Sequence, residues 1–521
     1  MSPPLRLAVV VDGRTAPTWQ ADVVASLEAW EGCSIVRLLA AGPRGPEGPA
    51  QRRWWSAVQG KVDALRPTRV RCSAPTSPAA WTDAGRDELI ADGADALVHL
   101  GALPPPATWS EAFPHGVWVL RHGEGSQQAP GLREILDDAP TTRVRLLRLG
   151  APLAEVLHEG AWSTHPVSYR GQLQQLLSGS TRWVLRVARE LAELGALRGE
   201  PAPLQQAARV RTADLLRLPA VLGRRLTVRQ VRGFTDRAQW NVGIVDRPLP
   251  EVARDGLLRD VRWIRPPEDD GYIADPFGLE VDGRTVIMAE HYGFGEEHGR
   301  IVALDDGDGF SAAQVVMDAP VHQSFPYLLR HEGEVYCIPE RGAARELALY
   351  RAVDFPTSWE RAATLLEDIP AIDASLFHHE GQWWIFAMDG DSLPAVDLHA
   401  WWAPDLEGPW TPHLLNPLKT DVAGARCAGR PWMHEGKLYR PAQDCSRTYG
   451  GAVAIYEVEE LTPTRFRERW VGALGPDPDG EYPEGVHTLV ALGDRTLVDG
   501  KRWVISRKHI RRQLERKLLR R

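Results

Sequence analysis

The chain has 521 residues, 43% of them hydrophobic and 25% charged, with a net charge of −8, the make-up of a soluble globular protein of two to four domains. The negative balance offers nothing to a phosphate backbone and argues against nucleic acid as a partner. Five scattered cysteines without a CxxC pair exclude a disulfide framework or a zinc site, and no apolar run reaches the roughly 18 residues that span a bilayer.

Met1-Ser-Pro-Pro-Leu-Arg6 lacks the layout of a signal peptide, so a cytoplasmic setting is expected. Leu5–Val11 is an apolar, β-branched run ending in Asp12-Gly13, the pattern of a buried strand. A helix is predicted over Thr18–Trp30 and a strand over Ser34–Leu39; residues 42–60, rich in Gly, Pro and Arg, read as a loop. Further strands are predicted at Ala94–Gly101 and His115–Glu124, and a helix over 170–195. Strands alternating with helices predict an α/β domain of Rossmann type with a parallel sheet over residues 1–195. Residues 196–235, with a helix at 203–218, form the linker.

From Phe234 the chain turns rich in strands and tryptophan; its twenty Trp outnumber ten Phe and ten Tyr. Tyr272–Glu290 reads as strand, Asp282-Gly283 turn, strand. The hairpin recurs at Gly333, Gly381, Gly436 and Gly493, in steps of 50, 48, 55 and 57 residues. That spacing predicts an all-β five-bladed propeller over 236–505. Eight residues before the turn glycine stand Asp275 and Asp373; seven after it stand Glu290, Glu340 and Gln443. Equal phase means equal radial position, so these polar residues are expected around a shared central pocket. Trp383-Trp384 and Trp401-Trp402 are expected to split between core and surface or blade interface. Residues 506–521 close the chain as a basic helix, and 507–521 carry eight Lys/Arg against one Glu. Such a helix can lie on anionic lipid or pack against the body.

Two resemblances bear on function. Leu5–Gly13, Pro17 to Trp19, Asp95–Gly101 and His115–Gly125 with Thr141–Leu149 resemble the N-terminal domain of formyltransferases of the methionyl-tRNA and nucleotide-sugar type. In that family an Asn and a His polarise the formyl group. Here Val119 and Arg121 take those places, the later Asp is missing, and His122 is one residue out of phase. The domain is therefore expected to serve structure, binding or assembly. Trp240–Val245, Val321–Glu340, Ile372–Phe377 and Ala428–Trp432 resemble the N-terminal propeller of plant glucosamine inositolphosphorylceramide transferases, and more distantly five-bladed glycosidases. The resemblance implies carbohydrate chemistry. In the plant proteins a separate glycosyltransferase domain follows, and no segment of these residues resembles it.

Glycosyl chemistry uses two carboxyl groups, one as base or nucleophile and one as acid. The Asp-Pro-Phe context of Asp275 and the Ile-Asp-x-Ser-Leu-Phe context of Asp373 match the two aspartates of those glycosidases, and Glu340 is the expected acid. Where the fourth blade of the arabinanase type carries a Glu, this chain has Arg426 and Arg430. These arginines, with Arg440, Gln443 and Asp444, suit a phosphate or carboxylate; pairing with blade carboxylates is the alternative. Glu290, His322 and His487 complete the expected substrate contacts. No metal or cofactor is assigned; a nucleotide sugar is the candidate donor, and a sugar or glycolipid the partner. The expected function is glycosyl transfer in the synthesis of a cell-surface glycan or glycolipid. A non-catalytic glycan-binding scaffold is the alternative, then a glycoside hydrolase or a sugar N-formyltransferase.

Overall fold

The computed structural model describes residues 3–521 except 42–53, 55–57, 59–60, 79–80, 102–104, 106, 126, 128, 151–152, 198, 204–209, 265–270, 295, 392–395, 506–509 and 511–521. The predicted basic helix of 506–521 thus lies, Ile510 aside, outside the described residues, as does most of the predicted loop 42–60. The chain divides into two compact units, Met1–Thr227 and Val228–Arg521.

The first unit is built on a sheet whose main path has seven strands, β1 (Leu5–Val11), β2 (Cys33–Ala40), β3 (Thr76–Pro78), β4 (Ala96–His99), β5 (Val117–His122), β6 (Thr141–Leu149) and β7 (Ala154–Ser163), with Glu200–Ala202 paired to the start of the last. Their order is β3-β2-β1-β4-β5-β6-β7. The first five run parallel and the last two antiparallel. The parallel strands are fully buried runs such as Leu7–Val11, as a sheet covered on both faces requires. Helix α1 (Thr18–Glu28) connects β1 to β2, and α2 (Asp83–Ala91) connects β3 to β4. The predicted helix over 170–195 is two, α3 (Tyr169–Gly179) and α4 (Trp183–Leu194). It breaks at Ser180, whose hydroxyl turns back to the Leu176 carbonyl, a local bond that competes with helix propagation. A long helix, α5 (Thr212–Thr235), runs from the first unit into the second.

The second unit is all-β. Five antiparallel sheets follow one another, built on Gly271–Met317, Ser324–Glu367, Ala371–Ala403, Trp432–Pro476, and a last one combining Leu489–Ile505 with Asp236–Val245. Cross-blade hydrogen bonds close them into a propeller. Tyr327 OH donates to the Leu376 carbonyl, Ser375 Oγ to the Gly429 carbonyl, Leu489 N to the Ala428 carbonyl, and Thr488 Oγ1 to Asp275. The fifth blade is completed by ten consecutive pairs between Asp236–Val245 and Thr496–Ile505. This pairing of chain-distant strands ties the start of the unit to its end. Trp383 and Trp384 point to opposite faces and enter separate apolar clusters, with Trp401 in the first and Trp402 packed on the second.

The first four hairpin turns share one backbone form. Asp282-Gly283, Glu332-Gly333, Glu380-Gly381 and Glu435-Gly436 all have positive φ at both central residues, the type I′ geometry that matches strand twist. In the fifth turn the glycine comes first, as Leu492 pairs with Arg495 across Gly493-Asp494. A Cβ on Gly381 would meet nothing within 4 Å, yet its φ is +80°. Gly381→Ala is therefore expected to cost about 1–2 kcal/mol from backbone strain alone, read as a lowered urea midpoint with an unchanged slope.

Candidate active site

Three innermost strands share a defect. At Asp275, Phe325 and Asp373 the backbone is left-handed, with φ of 53°, 43° and 49°, and the strand pairing slips. All three lie eight residues before the turn glycine. Such β-bulges re-aim a side chain, and the conformation costs a non-glycine residue about 1–2 kcal/mol. Each bulge amide is held by a carboxylate of the preceding blade. Asp499 Oδ2 accepts from Asp275 N at 3.2 Å, Asp275 Oδ2 from Phe325 N at 3.4 Å, and Glu340 Oε2 from Asp373 N at 2.8 Å.

These bonds gather acids. Asp275, Glu290, Asp373 and Asp499 are buried, and Glu340 is partly so. Asp373 Oδ2 takes Arg426 Nε at 2.5 Å and Gln443 Nε2 at 2.8 Å. The Arg426 guanidinium also lies 4.9 Å from the Tyr449 ring centre. His487 bridges two acids: Nδ1 is 2.5 Å from Asp499, and Nε2 is 3.7 Å from Asp275. Its ring stacks on Trp240 at 3.8 Å. On the first blade, Tyr272 OH donates to Glu290 Oε1 at 3.4 Å, and His322 Nε2 lies 3.4 Å from the same oxygen.

Burial and neighbouring charge together set the protonation of this group. Burial pushes Asp275 up to about 6, with Asp373 and Asp499 adding to the rise and His487 opposing it. Burial, then Asp275 and Glu340, raises Glu290 well above the carboxylate range. Burial, then Asp373, raises Glu340, against the pull of Arg426. Burial also works against Asp499, but His487 and backbone amides outweigh it and hold Asp499 below the usual value. His487 is raised in turn: its burial is outweighed by Asp499 and Asp275. Like charges crowded in a low dielectric cannot all ionise.

Asp275, His487 and Asp499 offer ligand atoms within 4.8 Å of one another, a spacing that could hold a metal ion.

Of the residues expected from the sequence, Asp275, Glu290, Glu340, Asp373, Arg426, Gln443 and His487 come together here, with His322 against Glu290. Three are engaged elsewhere. The Arg430 guanidinium donates to the Leu328 carbonyl beneath Tyr327. The buried Arg440 is taken by Glu468 at 2.8 Å and the Gly424 carbonyl at 2.6 Å. Asp444 Oδ1 accepts from Ser446 N at 2.9 Å as a turn cap. Pairing with a blade carboxylate, the alternative reading of the arginines, is what Arg440 shows, and Arg426 also pairs with Asp373. Asp499, Thr488, Tyr272, Tyr449 and Lys501 were not expected. Lys501 sits seven residues after the second turn residue, the phase of Glu290 and Glu340. It is buried, its pKa lowered by burial to about 8, and Nζ donates to Thr448 Oγ1 and the Tyr449 carbonyl. Counting from Gly493 hid it, because that glycine opens its turn. In the first unit, His122 is buried with Nε2 2.9 Å from Ser180 Oγ, and burial lowers its pKa to about 4.

Residues 269–475 match the family model described as glucosamine inositolphosphorylceramide transferase 1, N-terminal. The chain is 38% identical over 216 residues to glucosamine inositolphosphorylceramide transferase 1 of Oryza sativa subsp. japonica, which covers 39% of this chain and 29% of the relative. It is 33% identical over 207 residues to the Arabidopsis thaliana protein of that name, covering 38% and 27%. The chain thus spans less than a third of the length of these relatives. Among solved structures it is similar to an exo-β-1,3-galactanase from Clostridium thermocellum (TM-score 0.33, 9% identity, 40% of this chain and 52% of that one). It is also similar to an α-L-arabinofuranosidase from Podospora anserina (TM-score 0.34, 11% identity, 44% and 82%). Among the described residues no helix is long and apolar enough to cross a membrane.

The His487–Asp499 pair sets a stability window. The depressed Asp499 stabilises fully above its ordinary 3.8 and less as pH falls through its folded value; the raised His487 stabilises fully below its ordinary 6.5 and less as pH rises through its folded value. Asp499→Ala leaves His487 buried without its partner and should cost about 3–5 kcal/mol. Urea unfolding of both proteins should show the largest gap between pH 3.8 and 6.5, narrowing on either side.

Proposed function

We propose that the second unit carries a sugar site on its innermost strands, and that the chain takes part in glycosyl transfer building a cell-surface glycan or glycolipid. The observation that carries this reading is the convergence of Asp275, Glu290, Glu340 and Asp373 from three blades, with Arg426 on Asp373 and His487 beside Asp275. Two carboxyl groups in different protonation states are what glycosyl chemistry asks for. Asp275 is the base or nucleophile: it removes the proton of the accepting hydroxyl or attacks the anomeric carbon. Asp373, held by Arg426 and Gln443, positions the sugar. Beyond its bond to Asp373, the Arg426 guanidinium makes no other hydrogen bond to a described residue. Its remaining N–H groups suit a phosphate oxygen, of a nucleotide-sugar donor or of a phosphorylated lipid such as the relatives' name contains. The first unit serves structure, binding or assembly, consistent with Val119 and Arg121 at the formyltransferase positions and with the buried His122.

A glycan-binding module is the second reading, favoured by the match to an N-terminal segment of longer relatives. Turnover separates the two. Asp275→Asn should abolish transfer from an activated sugar; the weakened bonds to Phe325 and Thr488 should cost about 1–3 kcal/mol, with the chain still folded by circular dichroism. Because only ionised Asp275 acts as base, the wild-type rate should rise with pH through about 6. Unchanged turnover in Asp275→Asn would contradict the assignment, and sugar binding without turnover in either protein would establish the module.

A further inference from the structure

The sequence points to Glu340 as the acid of the site, but the hydrogen bonding points elsewhere. Resting on the glycosyl reading above, we propose that Glu290 is the carboxyl that hands a proton to the oxygen leaving the sugar. Glu340 is committed to its neighbour. Its Oε2 holds the Asp373 amide at 2.8 Å, and its carboxyl hydrogen-bonds the Asp373 side chain beside Arg426. A proton on Glu340 therefore faces Asp373.

Glu290 is arranged differently. Tyr272 and His322 both address Oε1, and Oε2 takes no hydrogen bond from any described residue. The direction of both donors is fixed. Burial keeps the Tyr272 hydroxyl protonated far above the ordinary range. His322 Nδ1 accepts the Gly299 amide at 2.9 Å, so the neutral ring carries its proton on Nε2, facing Glu290. The His322 side chain is half exposed, and desolvation of its inner part with His298 lowers its pKa, which favours the neutral ring beside Glu290. A Cβ on Gly299 would stand 2.8 Å from Glu290 Oε1 and 2.9 Å from His322 Cε1, so only glycine admits this approach. The charged groups that face Glu290 are Asp275, Glu340 and Asp373. All are acids, and the cations Arg426 and His487 act on the others. Oε2 is thus the free end of a protonated carboxyl. In the transfer step the bond from the anomeric carbon to the leaving oxygen breaks and that oxygen takes the Glu290 proton. The acceptor oxygen bonds the anomeric carbon and gives its proton to Asp275, so one proton is lost and one gained by the enzyme.

Carbon-13 NMR of the full chain labelled at glutamate carboxyls tests this without turnover. A protonated glutamate signal should persist at pH 7, vanish in Glu290→Gln and survive in Glu340→Gln. No change of the protonated signals in Glu290→Gln would overturn the proposal. Kinetics supply a second arm. Glu290→Gln should lose about 100-fold or more on an alkyl glycoside, whose leaving oxygen needs a proton. It should lose little on a glycosyl fluoride, and it should lose the alkaline limb of the pH profile. Equal losses on both donors would overturn the acid role. A wild type inert on every donor, with the NMR result intact, would sink the glycosyl reading while leaving the proton on Glu290.

Discussion

The second unit depends on one recurring interaction, the hydrogen bond from a left-handed bulge amide to a carboxylate one blade back. Asp499 holds Asp275, Asp275 holds Phe325, and Glu340 holds Asp373. A bulge in an innermost strand loses ladder bonds and strains its backbone. A carboxyl acceptor offsets that, most where it is ionised as at Asp499, because a charge-assisted bond is roughly twice as strong as a neutral one. The same bonds require acids near the innermost strands, where burial resists their charge. Fold closure and an unusual protonation pattern are thus two consequences of one arrangement. Asp275 takes part twice, receiving a bond at its amide and accepting one at its side chain.

The network divides into two electrostatic halves. On one side Asp499, His487 and Asp275 form a relay in which a raised imidazole and a depressed carboxylate stabilise each other. On the other, Asp373, Glu340, Arg426 and Gln443 form a neutralised cluster. Glu290 belongs to neither half, and only neutral donors reach it. Burial raises the proton affinity of these acids, and only at Asp499 do the neighbouring imidazole and amides outweigh it.

Much of this was legible in the sequence. The glycine spacing gave away the hairpins, and the shared phase of Asp275 with Asp373, and of Glu290 with Glu340 and Gln443, marked residues that the fold brings together. What the phase could not supply was the side of each strand on which a neighbour falls. Arg440 and Gln443 are three residues apart on one strand, so they face opposite ways; one meets Asp373 and the other Glu468. Lys501 escaped notice because the fifth turn places its glycine first, shifting the count by one; Asp499 stands where the other blades have Met288, Ile338, Phe386 and Pro441, so no repeat pointed to it. Alternation of strand and helix foretold the parallel part of the first sheet. The antiparallel pair β6 and β7 was not foreseen, since its apolar runs look the same whichever direction they travel.

The central claim is that the acids drawn together by the bulges form a sugar site. Titration calorimetry of the intact chain, with a nucleotide sugar and with free glycans, tests it most directly when wild type is compared with Asp373→Asn. A saturable heat in the wild type that is lost in the variant is the predicted result. The same heat in both proteins would place the sugar elsewhere and contradict the account.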